Sequence, residues 1–301
     1  PTHTTLTIFL PAVNTLTQNP KTAYVMGASA YQKAKNHSWL NHTKKLIEII
    51  ENSISPKDQT IVALETGHSS ESYLAGGDKL LEKMAYYFDN NLKINVIVPT
   101  IGTKHWQDSK LKNVQLSVLP RTIFDNKPQP EWVFLAYLAR IWFTYWQLRK
   151  LEKIDLIYSS TNVLPDVAPA FLFKLTHPQI PWIARVHHLI ASPAKRPGRF
   201  SVNLVSYGMQ TISGWMIGAK STKTLALNNK LAQALQKKNL KDDKIEVLGA
   251  GVDICKINTK ISSKRKLYDG VFIGRLHPSK GIYDLVDIWK VVVSKKPQAK
   301  A

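Results

Sequence analysis

TIVALETGHSSESYLAGGDKLLEKMAYYFDNNLKINVIVP, residues 60–99, changes its apolar period twice. Thr60-Ile-Val-Ala-Leu-Glu65 is a short apolar run, which predicts a buried strand. A polar loop, Thr66 to Ala75, leads to the pair Gly76-Gly77. From Asp78 to Phe88 the spacing of Leu80, Leu81, Met84 and Phe88 predicts a helix with one apolar face. A second strand, Ile94 to Val98, ends at Pro99. A strand, loop, helix and strand in this order open a doubly wound parallel sheet. There is no Gly-x-Gly-x-x-Gly, so a nicotinamide site is not indicated. Read alone, the glycine pair fits a plain turn as well as a loop that backbone-binds a phosphate.

Downstream, the alternation continues. Val114 to Leu119 predicts a third strand, and Glu131 to Lys150 a helix rich in Trp and Tyr. Between Trp132 and Leu148 its one charge is Arg140, which leaves three readings: a membrane span, a core helix and an interfacial helix. Seventeen residues around a central Arg make a poor span. Asp155 to Tyr158 is a strand, Ser159 to Asp166 a loop and Val167 to Leu175 a helix. Ile180 to His188 is a further strand with two histidines at its carboxyl end. Ligands of open α/β sheets bind beyond such ends, which gathers Ser160, Thr161, Asp166, His187 and His188 around one crevice. Read by itself, the His pair fits structural hydrogen bonding better than chemistry. Ser192 to Arg199 is a basic loop, either a solvated face or a contact for a phosphate on an acceptor. Leu204 to Ile217, Asn228 to Lys238 and a strand from Lys244 to Leu248 complete this part. Residues 1–57 remain unassigned, with a weak helical stripe from Trp39 to Ile50.

Near the end, an apolar run from Tyr268 to Ile273 reads as a strand, and Ile282, Leu285, Val286, Trp289, Val292 and Val293 recur at helical spacing. The helix N-terminus between them suits a phosphate, and Arg275 and Lys280 add two cations there. An ordinary strand-to-helix connection with two solvated charges has the same spacing.

Gly-Arg-Leu-His-Pro-Ser-Lys-Gly, residues 274–281, resembles the donor-site signature of family-4 glycosyltransferases. Gly249-Ala-Gly-Val-Asp253 is similar to that family's Pro-Asn-Gly-Val-Asp, with two residues different. The resemblance runs from about residue 58 to the end. It implies an α/β protein of GT-B architecture: two Rossmann-like doubly wound domains facing across a cleft, the second only partly present. The expected division is an unassigned segment 1–57, an acceptor-side domain 58–256, a linker 257–267 and the beginning of a nucleotide-sugar-binding domain 268–301. By the resemblance, Arg275 and Lys280 hold the donor diphosphate, with Gly76 and Gly77 close to it. His187 lies beside the transferred sugar as the catalytic residue. Ser160, Thr161, Asp166 and His188 fall in the acceptor or sugar vicinity, His188 replacing the family's usual next residue. The implied reaction moves a sugar from a UDP- or GDP-linked donor to a glycan or lipid-linked acceptor, with retention. No cofactor is expected, since the nucleotide-sugar is a substrate. No metal is expected either: Asp-x-Asp, which holds a metal-bound diphosphate in other glycosyltransferases, is absent, and Arg275, Lys280 and backbone dipoles would neutralise the leaving group. The family's later Glu motif is missing, so the chain is expected to be inactive by itself, with Ile273, Leu285, Trp289 and Val292 partly exposed.

Composition agrees with two globular domains: 301 residues, 44% of them apolar. A lone cysteine, Cys255, excludes an internal disulfide and a multi-cysteine metal site, and fits a reducing compartment. The first residues lack a cleavable signal pattern, and the chain begins with Pro1, which leaves room for residues upstream. Formal net charge is +20, and from Val167 to Lys241 there are eleven Lys or Arg and no acid. Such a surface favours an anionic partner. Without a nucleic-acid-binding motif or basic-aromatic interleaving, no nucleic acid is expected, and an anionic membrane surface fits better. The corresponding location is cytoplasmic, peripheral at the inner face of the membrane. The rival reading is a non-catalytic basic α/β protein that binds an anionic surface, membrane or nucleic acid.

Overall fold

The computed structural model describes residues 15–16, 18–54, 59–68, 76–88, 92–104, 106, 111–125, 127, 129–254, 268, 271–272, 274 and 281–299. They fall into two compact units, His37–Val252 and the described parts of Pro1–Asn36 with Asp253–Ala301. The smaller unit holds helix α1 (Pro20–Asn36) and, at the far end of the chain, the helix Ile282–Lys295.

In His37–Val252 the strands are β1 (Thr60–Leu64), β2 (Lys93–Pro99), β3 (Val114–Leu119), β4 (Leu156–Ser159), β5 (Trp182–Val186), β6 (Lys223–Ala226) and β7 (Ile245–Val247). The helices are α2 (Trp39–Glu51), α3 (Gly76–Tyr87), α4 (Pro130–Lys150), α5 (Leu164–Thr176), α6 (Phe200–Lys220) and α7 (Asn229–Gln236). The strands form one sheet in the order β3-β2-β1-β4-β5-β6-β7, every pair parallel. The chain is therefore an α/β protein built on a doubly wound parallel sheet. Along β1 the side chains alternate: Ile61 and Ala63 face Ile50 of α2 and Met84 of α3, while Val62 and Leu64 face Leu148 of α4 and Val167 of α5. With both faces covered, no polar face is needed, which is why β1 reads as a continuous apolar run.

Three features depart from the sequence reading. Helix α2, where the sequence shows only a weak helical stripe in an otherwise unassigned segment, packs Leu46 and Ile50 into the core of this unit. Strand β6, Lys223-Thr-Leu-Ala, was not expected; four residues with a leading Lys do not stand out until β5 and β7 pair on either side. Helix α5 begins at Leu164, with Pro165 in its first turn, so Asp166 belongs to a helix and not to the loop before it. Of the three readings of α4, core packing accounts for its inward line, Ala136, Arg140, Thr144 and Leu148. Among the described residues no helix is long and apolar enough to cross a membrane.

The last helix, α8 (Ile282–Lys295), follows Gly281 at φ +73°, a left-handed conformation that glycine adopts without a Cβ clash. Leu285, Trp289 and Val292 are half-buried, and no residue of α8 is buried. Ile273, Cys255, the linker 257–267, Arg275 and Lys280 lie outside the described residues.

Candidate functional site

Strand order reverses at β1 and β4: from β1 the chain moves outward through β2 and β3, then returns across β1 to β4. Beyond the carboxyl ends of strands at such a switch point, the flanking loops diverge and open a crevice. Here the crevice is bounded by Glu65 to His68 after β1, Ser160 to Asn162 after β4, His187 and His188 after β5, and the start of α3.

Its floor is tied together by Asp166, which is fully buried. The Thr66 N–H donates to Asp166 Oδ1 at 2.6 Å and the Thr66 hydroxyl to the same oxygen at 3.0 Å. The Thr161 hydroxyl donates to Oδ2 at 2.5 Å. Burial pushes the Asp166 carboxyl up to about 6, against the pull of these hydrogen bonds. The Ser160 hydroxyl donates to the Leu64 carbonyl at 2.8 Å. The polar atoms of Ser160, Thr161 and Asp166 are thus spent on joining the ends of β1 and β4 to the first turn of α5.

His187 is half-buried with Nε2 at 2.9 Å from the Ser160 carbonyl oxygen. A carbonyl only accepts, so Nε2 carries the hydrogen and Nδ1 keeps its lone pair. Burial lowers its pKa to about 4, with Arg185 and His188 adding to the effect, so the ring is neutral at pH 7. Asn162 sets the strand end: its Oδ1 accepts from the His187 N–H at 3.2 Å, and its Nδ2 donates to the His188 carbonyl at 3.1 Å. The His188 side chain is exposed.

Helix α3 begins against this histidine. A Cβ on Gly77 would stand 2.7 Å from Thr161 Cγ2 and 3.1 Å from His187 Nε2, so only glycine lets the first turn approach so closely. Gly76 is the first residue of the same turn. Gly251 is needed for a different reason, since a Cβ there would meet the Trp39 ring at 2.5 Å.

A second cluster lies after β1. His68 Nε2 is 3.0 Å from Glu65 Oε1, and its Nδ1 is 3.6 Å from Asp78 Oδ2. Trp106 Nε1 donates to the other Glu65 oxygen at 2.9 Å. These ligand types lie close enough together to suggest a metal ion. The carboxylates address opposite nitrogens of the ring, however, whereas a metal takes one nitrogen together with both carboxylates on its side. Burial works against a charge on His68, but the Glu65 hydrogen bond and the Asp78 charge outweigh it and raise its pKa. The geometry sets the ring between two carboxylates, whose charge favours its protonated form. Arg140 of α4, buried, donates to the Thr66 and His68 carbonyls and to Asp125 Oδ1, and the Tyr137 hydroxyl donates to the Gly67 carbonyl at 2.9 Å.

The structure therefore brings together Gly76, Gly77, Ser160, Thr161, Asp166, His187 and His188. Sequence reasoning missed Glu65, His68, Arg140 and Asn162. A charge ending an apolar strand and a lone Arg inside an apolar helix were the available signals.

No protein-family profile and no curated protein matches this sequence. Solved structures do. The Anabaena protein HepE, solved with UDP and glucose, is 10% identical over 64% of this chain and 45% of its own, at a TM-score of 0.42. S. aureus MnaA, solved with UDP, is 13% identical over 64% of this chain and 44% of its own, at 0.39. The glycotransferase of kitacinnamycin is 12% identical over 73% of this chain and 56% of its own, at 0.41. The chain thus spans about half the length of these neighbours, and the likeness is one of fold.

Proposed function

We propose that this protein is a nucleotide-sugar-dependent glycosyltransferase of GT-B architecture, and that His37–Val252 is its acceptor-side half. The observation that supports this best is His187, neutral and held by the Ser160 carbonyl against Gly77 at the mouth of the switch-point crevice. In glycosyl transfer the bond from the anomeric carbon to the phosphate oxygen breaks, positive charge develops on the sugar and negative charge on the diphosphate. A neutral imidazole with a free Nδ1 lone pair tolerates that positive charge and accepts a hydrogen bond from a sugar hydroxyl; an imidazolium would repel it. The N–H groups that open α3 at Gly76-Gly77 suit a phosphate, and the resemblance carried by residues 274–281 gives Arg275 and Lys280 the role of binding the donor diphosphate. The acceptor is a glycan or a lipid-linked glycan, and the reaction retains configuration without a metal.

The test is product detection with UDP- and GDP-linked sugars. Transfer should occur without added metal, and Arg275→Ala or Lys280→Ala should each lower kcat/KM about ten- to a hundredfold. Epimerisation of the nucleotide-sugar with no transfer to any acceptor would replace this reading, and full activity in both variants would remove the donor-site assignment.

A further inference from the structure

Helix α4 is built inside out. Its buried line includes Arg140 and Thr144, whereas the opposite line carries Leu138, Trp142 and Trp146, exposed by 45%, 60% and 41%. A helix whose outer side meets only water carries polar residues there. Helix α5 lies beside it and leaves Leu175 exposed, and α6 packs on α5 and leaves Leu204 and Trp215 exposed. The Phe171 and Trp215 rings, 5.3 Å apart between centroids, join the last two helices. α4 and α6 have 21 residues each, so this face runs about 30 Å.

Its charge has one sign. Within these three helices the acids are Glu131, 4.0 Å from Arg199, and Asp166, which is buried. Lys195 and Arg199 lead into α6, and Lys220 closes it. Tryptophan at a boundary between apolar and polar surroundings, with cations beside it and no opposing acid, matches the interface of a bilayer that contains anionic lipids. We propose that the outer face of α4, α5 and α6 docks on an anionic phospholipid bilayer. The inference stands apart from the reading of the crevice.

Flotation of the 301-residue chain with vesicles tests it. Binding should be at least tenfold stronger to vesicles of mixed phosphatidylcholine and phosphatidylglycerol than to phosphatidylcholine alone, and should fall at high salt. The triple variant Lys195→Gln, Arg199→Gln, Lys220→Gln should bind about a hundredfold more weakly, at about fivefold for each charge. Trp142→Gln with Trp215→Gln should weaken binding about tenfold further, in a variant shown by circular dichroism to remain folded. Phospholipids with brominated chains should quench the tryptophan fluorescence of the unsubstituted chain. Absence of flotation, equal binding to neutral vesicles, or binding that survives both sets of substitutions would overturn the proposal. So would concentration-dependent self-association that the double Trp variant abolishes in a chain that does not float, which would assign the face to a second copy.

Discussion

His187 and His188 adjoin in sequence and differ in every contact that matters. His187 spends Nε2 on the Ser160 carbonyl and is neutral, whereas His188 is exposed and its carbonyl accepts from Asn162. In the proposed transferase, His187→Ala should lower kcat about a hundredfold and leave nucleotide affinity unchanged, because the ring acts where charge develops. His188→Ala should change kcat by less than about threefold, a few tenths of a kcal/mol, as for an exposed side chain. Steady-state kinetics beside calorimetric nucleotide titration checks both, and the reverse ranking would move the reacting residue by one position. Both histidines were legible at the end of an apolar strand. Asn162, which aims that strand end, was not, since an Asn in a loop announces nothing about a backbone twenty-five residues away.

At the scale of elements, Asp166 fastens the first turn of α5 to the loop after β1. Its place near a helix N-terminus favours a carboxylate, and its partners favour it further. Asp166→Ala strands the Thr66 N–H and the Thr161 hydroxyl, while the Thr66 hydroxyl keeps the Pro165 carbonyl, which should cost about 2–3 kcal/mol. Chemical denaturation of the unsubstituted and variant chains at pH 7 measures it. A loss below about 0.5 kcal/mol would show that water replaces the carboxylate and that the floor is not held together here. Elements with strong periods, such as β1, β2 and α4, were legible within a residue or two. Strand β6 was not, because four residues carry too little pattern and its strand character comes from two neighbours. The orientation of α4 was also hidden: Arg140 argued against a span, but only its bonds to the Thr66 and His68 carbonyls explain why it faces inward.

For the whole unit, buried titratable groups set the response to acid. Burial holds His42 and His187 near about 4, with Arg185 pushing the same way, and holds Asp166 near about 6. An unfolded chain protonates both imidazoles around pH 6.5, which the native chain resists until about 4. Their stabilisation is complete above pH 6.5 and is lost as pH falls toward 4. Asp166 has the opposite sign, since the native carboxyl takes its proton near pH 6 and the unfolded one near 3.9. The effect of His68, whose pKa is raised, lies above this window. His42 and His187 outweigh Asp166, and His188, whose pKa burial also lowers, adds to them, so stability should fall as pH drops from 6 toward 4. Denaturant midpoints at pH 6 and 5 test this, and an equal or higher midpoint at pH 5 would mean that the rings are not kept neutral. By itself the sequence determined a doubly wound parallel sheet, the strand ends that carry the crevice, and a long acid-free surface. Those are local properties: an apolar period reports burial, and a run of cations needs no partner to be counted. Tertiary structure alone decided the strand order, the β6 strand, the Asp166 fastening and the inside-out face of α4. Each depends on groups far apart in the chain, as Thr66 is from Asp166, and their distance is set by packing that no local pattern encodes.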